Sequence, residues 1–444
     1  MMPSKLIKRF LKVLRKPGVF FYKAQETIAK KKLKGGALFI SVMLSVIIGC
    51  ILTLFILVTT YNQRNVTVFA QSSQLFYNLK SAFQLAQSAY FTPEKNYTWM
   101  KNQLNDDSIR IKKLHWGAYL IICAETKNRH QYLSESGLFG TCMSPDTGLM
   151  VADNSRPVGL SGNVIFKSAC YLPRAGVKPA YIEGQSYISN ASNGRFTRQS
   201  PSAIPAINLE MVKGLKQQLS LGIQNFDSLV TTLPIVFNQS FNQSTVLWET
   251  STTQLTNLQL SNNIIIIAGS LQVDSSVHLN NILIVCKNIR FKKGFKGKVH
   301  VIASDSISME EGCEFSYPSS FVVFSEKAQV TGFSYIQFNK DCKFFGGVLA
   351  LNDPSDANSL TKVFIKLNAD SEINGFIYSS DYIHIEGQVN ATVMANKLLL
   401  KTPSAVYENH LLGCEINPKK YSDQLAIPLV FNQRAKLVCC EKIN

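Results

Sequence analysis

The sequence predicts a mainly β protein: an N-terminal transmembrane helix and helical stem, then a small antiparallel β region and a parallel β-solenoid with a helical insert. Three observations predict it. An uncharged apolar run of 25 residues starts at Gly36. Residues 108–140 alternate like short strands. From about residue 262 to 403 one phrase recurs at a nearly constant spacing.

The basic segment comes first. The chain of 444 residues carries 46 Lys and Arg against 29 Asp and Glu, a net charge of +17. Residues 1–35 hold eleven of the cations (Lys5, Lys8, Arg9, Lys12, Arg15, Lys16, Lys23, Lys30, Lys31, Lys32 and Lys34) against Glu26 alone. The basic character is therefore mostly a local device beside a membrane, and no nucleic-acid partner is expected. With 46% hydrophobic and 17% charged residues, the composition is that of a folded chain.

The run from Gly36 to Thr60 exceeds the roughly 20 residues a helix needs to cross a bilayer core, so the lipid bilayer is its expected partner. Lys crowds one flank, and the other offers only Arg64. The positive-inside rule then places residues 1–35 in the cytoplasm. The rest stands on the periplasmic or extracellular side of a bacterial cytoplasmic (inner) membrane. A cleaved signal peptide would have a shorter apolar region and a small-residue site, which Tyr61-Asn62-Gln63-Arg64 is not. Leu6, Ile7, Phe10, Leu11 and Leu14 recur at helical spacing opposite Lys5, Lys8, Arg9, Lys12, Arg15 and Lys16 until Pro17-Gly18. This face could meet anionic lipid head groups, or the charges could be solvated and only fix topology.

Residues 61–91 continue as a helical stem, with Leu75, Phe76, Leu79, Ala82, Phe83, Ala86 and Tyr90 at steps of three and four. Residues 92–155 form the small β region, whose strands run through Ile109 to Leu114 and Trp116 to Cys123. The solenoid spans 156–410, with a helical insert near 207–228 marked by Val212, Leu215, Leu219 and Ile223, and a loop from Asn238 to Ser244. Residues 411–444 remain a C-terminal segment.

The repeat is an apolar run, a small residue, and apolar residues three and five positions later. Ile264-Ile265-Ile266-Ile267-Ala268 leads to Leu271 and Val273, and Ile282-Leu283-Ile284-Val285-Cys286 to Ile289 and Phe291. The small residues fall at 268, 286, 304, 325, 380 and 395. The gap between 325 and 380 leaves room for about three more turns, one through Gly346, Leu349 and Leu351. A β-sandwich also has short strands but does not require one phrase in one register. Ala268, Cys286, Ser304 and Ser325 should then line one column, and Leu271, Ile289, Ile307 and Ala328 a second, buried one. An earlier copy runs through Leu160 to Gly184, with Ile165 and Ile182 as equivalents.

Lys34-Gly35 followed by Gly36-Ala37-Leu38-Phe39-Ile40-Ser41 resembles the N-terminus of type IV pilins and pseudopilins. That resemblance implies peptidase cleavage after Gly35. The acid that the family uses in assembly would fall at Ile40, where this chain departs from the pattern. The coil phrases resemble those of bactofilins. The overall layout, with Tyr171-Leu172-Pro173-Arg174-Ala175-Gly176-Val177 and the ending from Leu400 to Asn409, is similar to uncharacterised bacterial single-pass membrane proteins, a likeness that implies no activity.

Motifs for chemistry are sparse. His115, His130, His278, His300, His384 and His410 show no metal-ligand spacing, and there is no phosphate loop or nucleophile elbow. Asp305, Glu310, Glu311 and Glu314 cluster, but no acids recur one period away to make the pair that glycoside hydrolysis needs. Asn352-Asp353-Pro354-Ser355-Asp356 could ligate Ca²⁺ but reads more simply as a turn. Of ten Cys, Cys123 and Cys142 could staple the small sheet. Six sequons start at Asn65, Asn96, Asn190, Asn238, Asn242 and Asn390.

No catalytic, cofactor-binding or metal site is therefore assigned, and no enzyme is expected. The expected function is that of a membrane-anchored cell-envelope structural or adhesion scaffold presenting a rigid β-solenoid. Its partners would be envelope proteins or polysaccharide, and an oligomer is left open. The alternatives are a minor-pilin-like subunit of a secretion or uptake system and a membrane-tethered carbohydrate-active solenoid enzyme.

Overall fold

The computed structural model describes residues 36–88, 99–101, 107–129, 131–142, 146–189, 191–220, 229–230, 232–325, 332–353, 360–420, 425–431 and 437–443. The basic segment 1–35 with Lys34-Gly35 lies outside them, as do Tyr90, Asn96, His130, Asn190, Ile223, Ala328 and Pro354-Ser355-Asp356. The described chain is mainly β, with one long N-terminal helix, and it divides into two compact units at Leu75.

Helix α1, Gly36–Gln87, is 52 residues long. Its N-terminal part is a candidate membrane span, with a mean hydropathy of 2.8 over its most apolar window and no burial there. The few hydroxyls in the span are satisfied inside the helix. Ser41 donates to the Leu38 carbonyl at 2.8 Å, Ser45 to Ser41 at 2.7 Å and Thr60 to Ile56 at 2.9 Å. A hydroxyl bonded back to its own helix costs little in hydrocarbon.

Within the second unit the end of α1 buries Leu75, Leu79, Ala82, Phe83 and Ala86. Leu79, Ala82, Phe83 and Ala86 pack with Ile111, Leu120, Ile122, Ala124 and Phe139 of an antiparallel sheet. Phe76, expected in this stripe, is half exposed beneath Lys80. The sheet order is Met100–Lys101, Ser108–Trp116, Tyr119–Lys127, Tyr132–Thr141 and Leu437–Ile443. The C-terminal residues thus complete the small sheet. Glu135 ties three elements together, taking Lys80 of α1 at 2.8 Å and Lys442 of the last strand at 2.6 Å. The Cys123–Cys142 staple does not form, and both thiols are free. Cys123 faces Ser136 across the ladder. Cys142 lies well along that partner strand, about 20 Å away, beyond disulfide reach.

Tyr181–Ile182 with Gln185–Ser186, and Val158–Ser161 with Val177–Pro179 and His410–Leu412, form two small separate sheets. Most of the remaining strands join into one closed, barrel-like, largely parallel sheet. Its first strand is Thr147–Val151, earlier than the expected start at 156. Ile264–Val273 pairs with His278–Phe291, and that strand with Lys296–Met309, in parallel. Leu271, Ile289, Ile307, Ile336, Ile365, Ile383 and Leu398 are consecutive partners and form one buried column. The expected column runs true through Ile307, where the next partner is Ile336.

The column of small residues is corrected from Ser304 onward. Cys286 pairs with Ala303, then Val323, Ala350, Ser379 and Ala395 follow. A register shift between Cys286 and Asn288 takes up the odd residue. The gap expected to hold three turns holds one strand of this column, Lys343–Asn352, with Gly332–Phe338 and Thr361–Leu367 paired in a different column, because the chain travels further between partners there, as in Glu314↔Lys343↔Glu372. In-register pairing does not restrict how many residues separate two partners.

The early block also pairs differently from expectation. Leu149 pairs with Cys170, and Cys170 with Thr197, while Tyr181–Ile182 is part of a separate two-stranded hairpin. This block continues the far end of the later one: Val393 pairs with Leu149 and Glu415 with Ile165. Helix α2, Ala191–Phe196, follows the early block. Helix α3, Leu209–Ser220, then connects to the first strands of the later block and buries Met211, Val212 and Leu215.

The apolar runs are continuous because both of their faces are covered. Ile264, Ile266, Ile284, Val301 and Phe321 point into the barrel-like core. Ile265, Ile267, Leu283, Val285, Ile302 and Val322 meet Trp116, Tyr119 and Ile121 of the antiparallel sheet and Val212 and Leu215 of α3. A strand wet on one face would alternate instead.

Candidate functional site

One stretch of the parallel sheet does alternate. Thr361–Leu367 has a strictly alternating burial pattern, and Gly332–Phe338 approaches it. Their inward residues are Ser334, Ile336 and Phe338, and Val363, Ile365 and Leu367. Their outward residues are Phe333, Tyr335 and Gln337, and Lys362, Phe364 and Lys366. In-register pairing sets Tyr335, Phe364, Tyr382 and Lys397 side by side on successive strands. Because parallel strands lie about 4.8 Å apart, a shared register makes these rings a continuous ladder. Phe333 meets Phe364 at 6.1 Å and Tyr382 at 6.2 Å, edge on, and Lys397 Nζ lies 5.9 Å from the Tyr382 ring.

Beside the ladder is a cavity of about 470 Å³ lined by Phe333, Tyr335, Gln337, Phe364, Lys366, Leu399, Lys401, Thr402 and Pro403. Its far rim is the hairpin between Gly387–Lys401 and Val406–Glu408. Thr402 fixes that turn by accepting the Ala405 N–H at 3.1 Å. The Lys401 N–H donates to Nδ1 of buried His384 at 3.1 Å, and His384 Nε2 lies 3.2 Å from Glu386. Burial would raise the Glu386 pKa, but the His384 contact holds it below its ordinary value. His384 therefore positions the rim; it is not exposed to a ligand. Carboxylates are absent from the described lining. The cavity can stack apolar ring faces and offers two cations and an amide, but no acid–base pair.

The acids singled out in the sequence are used elsewhere. Glu310 pairs with Lys292 at 3.2 Å, Glu311 with Lys293 at 3.0 Å and Glu314 with Lys296 at 3.0 Å. Each Lys stands one period before its Glu, as the in-register partners Lys296 and Glu314 show, so the three pairs form an ion ladder between neighbouring strands. Asp353 binds Lys216 at 2.7 Å, and Asn352 Nδ2 donates to Asp381 at 2.5 Å. Among the described residues no His, Cys, Asp and Glu group has a metal-holding arrangement. The Asn390 side chain is buried and donates to Glu372 at 2.9 Å, so that sequon is closed.

Among the described histidines, His300 is the most perturbed. It is fully buried between the two sheets, with Nδ1 2.9 Å from the Ser320 hydroxyl and its ring edge-on to Tyr119. Burial, with help from Lys298, lowers its pKa to about 3.

Sequence reasoning missed the groove. Its signal was an aromatic at the polar position of an alternating strand, repeated in register on the next two strands as Tyr335, Phe364 and Tyr382. Comparison with protein-family models, curated proteins and solved structures finds no match to the chain.

Proposed function

We propose that this chain is a membrane-anchored envelope scaffold whose parallel sheet is wound as a β-solenoid and whose aromatic groove binds polysaccharide. The observation that carries the reading is the ladder of Phe333, Tyr335, Phe364 and Tyr382 beside Lys366 and Lys401. Flat aromatic faces suit the apolar faces of sugar rings, and the two ammonium groups favour an acidic saccharide. Parallel in-register pairing from one turn to the next, with one column apolar throughout, supports the solenoid. The apolar part of α1 is the anchor, and the Lys-rich flank favours a cytoplasmic N-terminus. Protease added to spheroplasts should then digest residues beyond about 75 and spare the N-terminus. Affinity electrophoresis through gels containing acidic polysaccharide should retard the protein, whereas equal mobility with and without the polymer would reject the binding assignment.

A minor-pilin-like subunit is the second reading, favoured by a helix that runs on from an apolar segment and docks on an antiparallel sheet. Gly35→Ala should then block loss of the first 35 residues. A mature chain that still begins at Met1 or Met2 rejects it. The enzyme reading gains nothing from Glu310, Glu311 and Glu314, which are spent on Lys partners.

A further inference from the structure

We infer that Cys313 and Cys342 are a dithiol pair placed to close into a disulfide between neighbouring turns of the parallel sheet. Glu314 pairs with Lys343 and Phe315 with Phe344, so Cys313 and Cys342 occupy equivalent positions one step before them. The Lys343 N–H donates to the Cys313 carbonyl at 2.9 Å, which fixes the two backbones side by side. Neighbouring strands set such Cα atoms about 5 Å apart, inside the range that a disulfide spans. Both residues are fully buried. Their thiols point the same way, back onto the preceding turn: Cys313 Sγ lies 3.3 Å from the Lys292 carbonyl and Cys342 Sγ 3.1 Å from that of Glu310. The thiols also interact with each other, and Cys313 holds the Cys342 pKa below its ordinary value.

The location is informative. The same position is held by Phe295 in the turn before, where Glu314 N–H donates to the Phe295 carbonyl, and by Ser371 in the turn after, where Glu372 N–H donates to the Cys342 carbonyl. The column therefore tolerates different buried side chains, and the structural role alone does not require cysteine twice in succession. The two cysteines bracket the first step at which the chain travels further between partners, from Glu314 to Lys343. A covalent link there closes a longer loop than one between the preceding turns and removes more freedom from the unfolded chain.

The chemistry is thiol–disulfide exchange with a small-molecule or protein disulfide as oxidant. Cys342 Sγ, as thiolate, attacks one oxidant sulfur and releases the other as a thiol. Cys313 Sγ then attacks Cys342 Sγ and expels the second thiol. One S–S bond forms in the chain and one is lost in the oxidant, which takes up two electrons and the two protons. The inference does not depend on the saccharide reading or on membrane orientation.

The test uses the full chain in detergent, incubated with glutathione disulfide below its melting temperature, then unfolded, alkylated and digested. The expected product is a peptide pair joined through Cys313 and Cys342, with every other cysteine either alkylated or carrying glutathione. Its melting temperature should rise by about 5 °C, reversibly with dithiothreitol. Cys342→Ser, compatible with the serine already at 371, should fold and lose the shift. Cys286→Ala should keep it. Both thiols alkylated after oxidation, Cys313 joined to a different cysteine, or an equal shift in Cys342→Ser would each overturn the inference.

Discussion

Two faces of the same parallel sheet obey different rules. On the covered face, along residues 264–267, 282–286 and 299–303, successive side chains are buried whichever way they point, because the antiparallel sheet and α3 lie outside. On the open face, along Gly332–Phe338 and Thr361–Leu367, only alternate side chains are buried. The contrast separates architecture from function. Outward residues on the covered face are a second core, whereas outward aromatics on the open face have no packing duty that would explain them.

The largest expected effect probes the core shared by both faces. Ile307 is fully buried in the apolar column, so Ile307→Asp strands a carboxylate without water or partner. It should cost several kcal/mol, comparable to a domain's net stability. Denaturant unfolding should report it, and the outward neighbour Arg290→Asp should cost less than about 0.5 kcal/mol. Ile302→Asp sharpens the comparison. Ile302 points out of the barrel-like core, yet it should cost about as much as Ile307→Asp because it faces the antiparallel sheet. A near-neutral Ile302→Asp would mean that the two sheets do not pack in solution.

The next effect is pH-dependent and belongs to the interface between the sheets. His300 has a folded pKa lowered from 6.5 to about 3, so between those values the unfolded chain binds a proton that the folded chain refuses. Stability is full above the unfolded pKa and falls by about 1.4 kcal/mol per pH unit as pH drops through this window. Replacement by Leu should flatten the slope of unfolding free energy between pH 4 and 6 by about one proton. An unchanged slope would place His300 in water.

The smallest effect belongs to the ion ladder. Its pairs are partly exposed, and such pairs contribute about 0–1 kcal/mol each. Replacing Glu310, Glu311 and Glu314 together by Gln should shift stability only slightly and leave saccharide binding unchanged. Loss of binding in a folded triple variant would move the functional site to these acids.

What the sequence made legible follows the same division. The column through Leu271, Ile289 and Ile307 can be read in advance because a buried position in a parallel stack accepts only apolar residues at a steady spacing. The small column slips at Ser304 because one extra residue between Ala303 and Ser306, opposite Cys286 to Asn288, is absorbed by a local irregularity that no side chain announces. The long steps beyond Glu314 look like several shorter turns because any number of residues can separate two partners without disturbing the pairing. The order of the blocks, with Val393 against Leu149, depends on where α3 returns the chain and not on local pattern. The ion ladder was legible in principle, since Lys292, Lys293 and Lys296 stand one period before Glu310, Glu311 and Glu314. The groove was hidden because its rings come from strands far apart in sequence.

The central claim is that the open face binds and the covered face supports. The most direct measurement is titration of an acidic oligosaccharide into Phe333→Ala/Phe364→Ala, with thermal melting of the same sample. Each lost ring contact should weaken binding about tenfold, while the melting temperature stays within about 3 °C of the parent, because both rings lie on the open face. Unchanged affinity in a folded variant, or a collapsed melting temperature, would contradict the account.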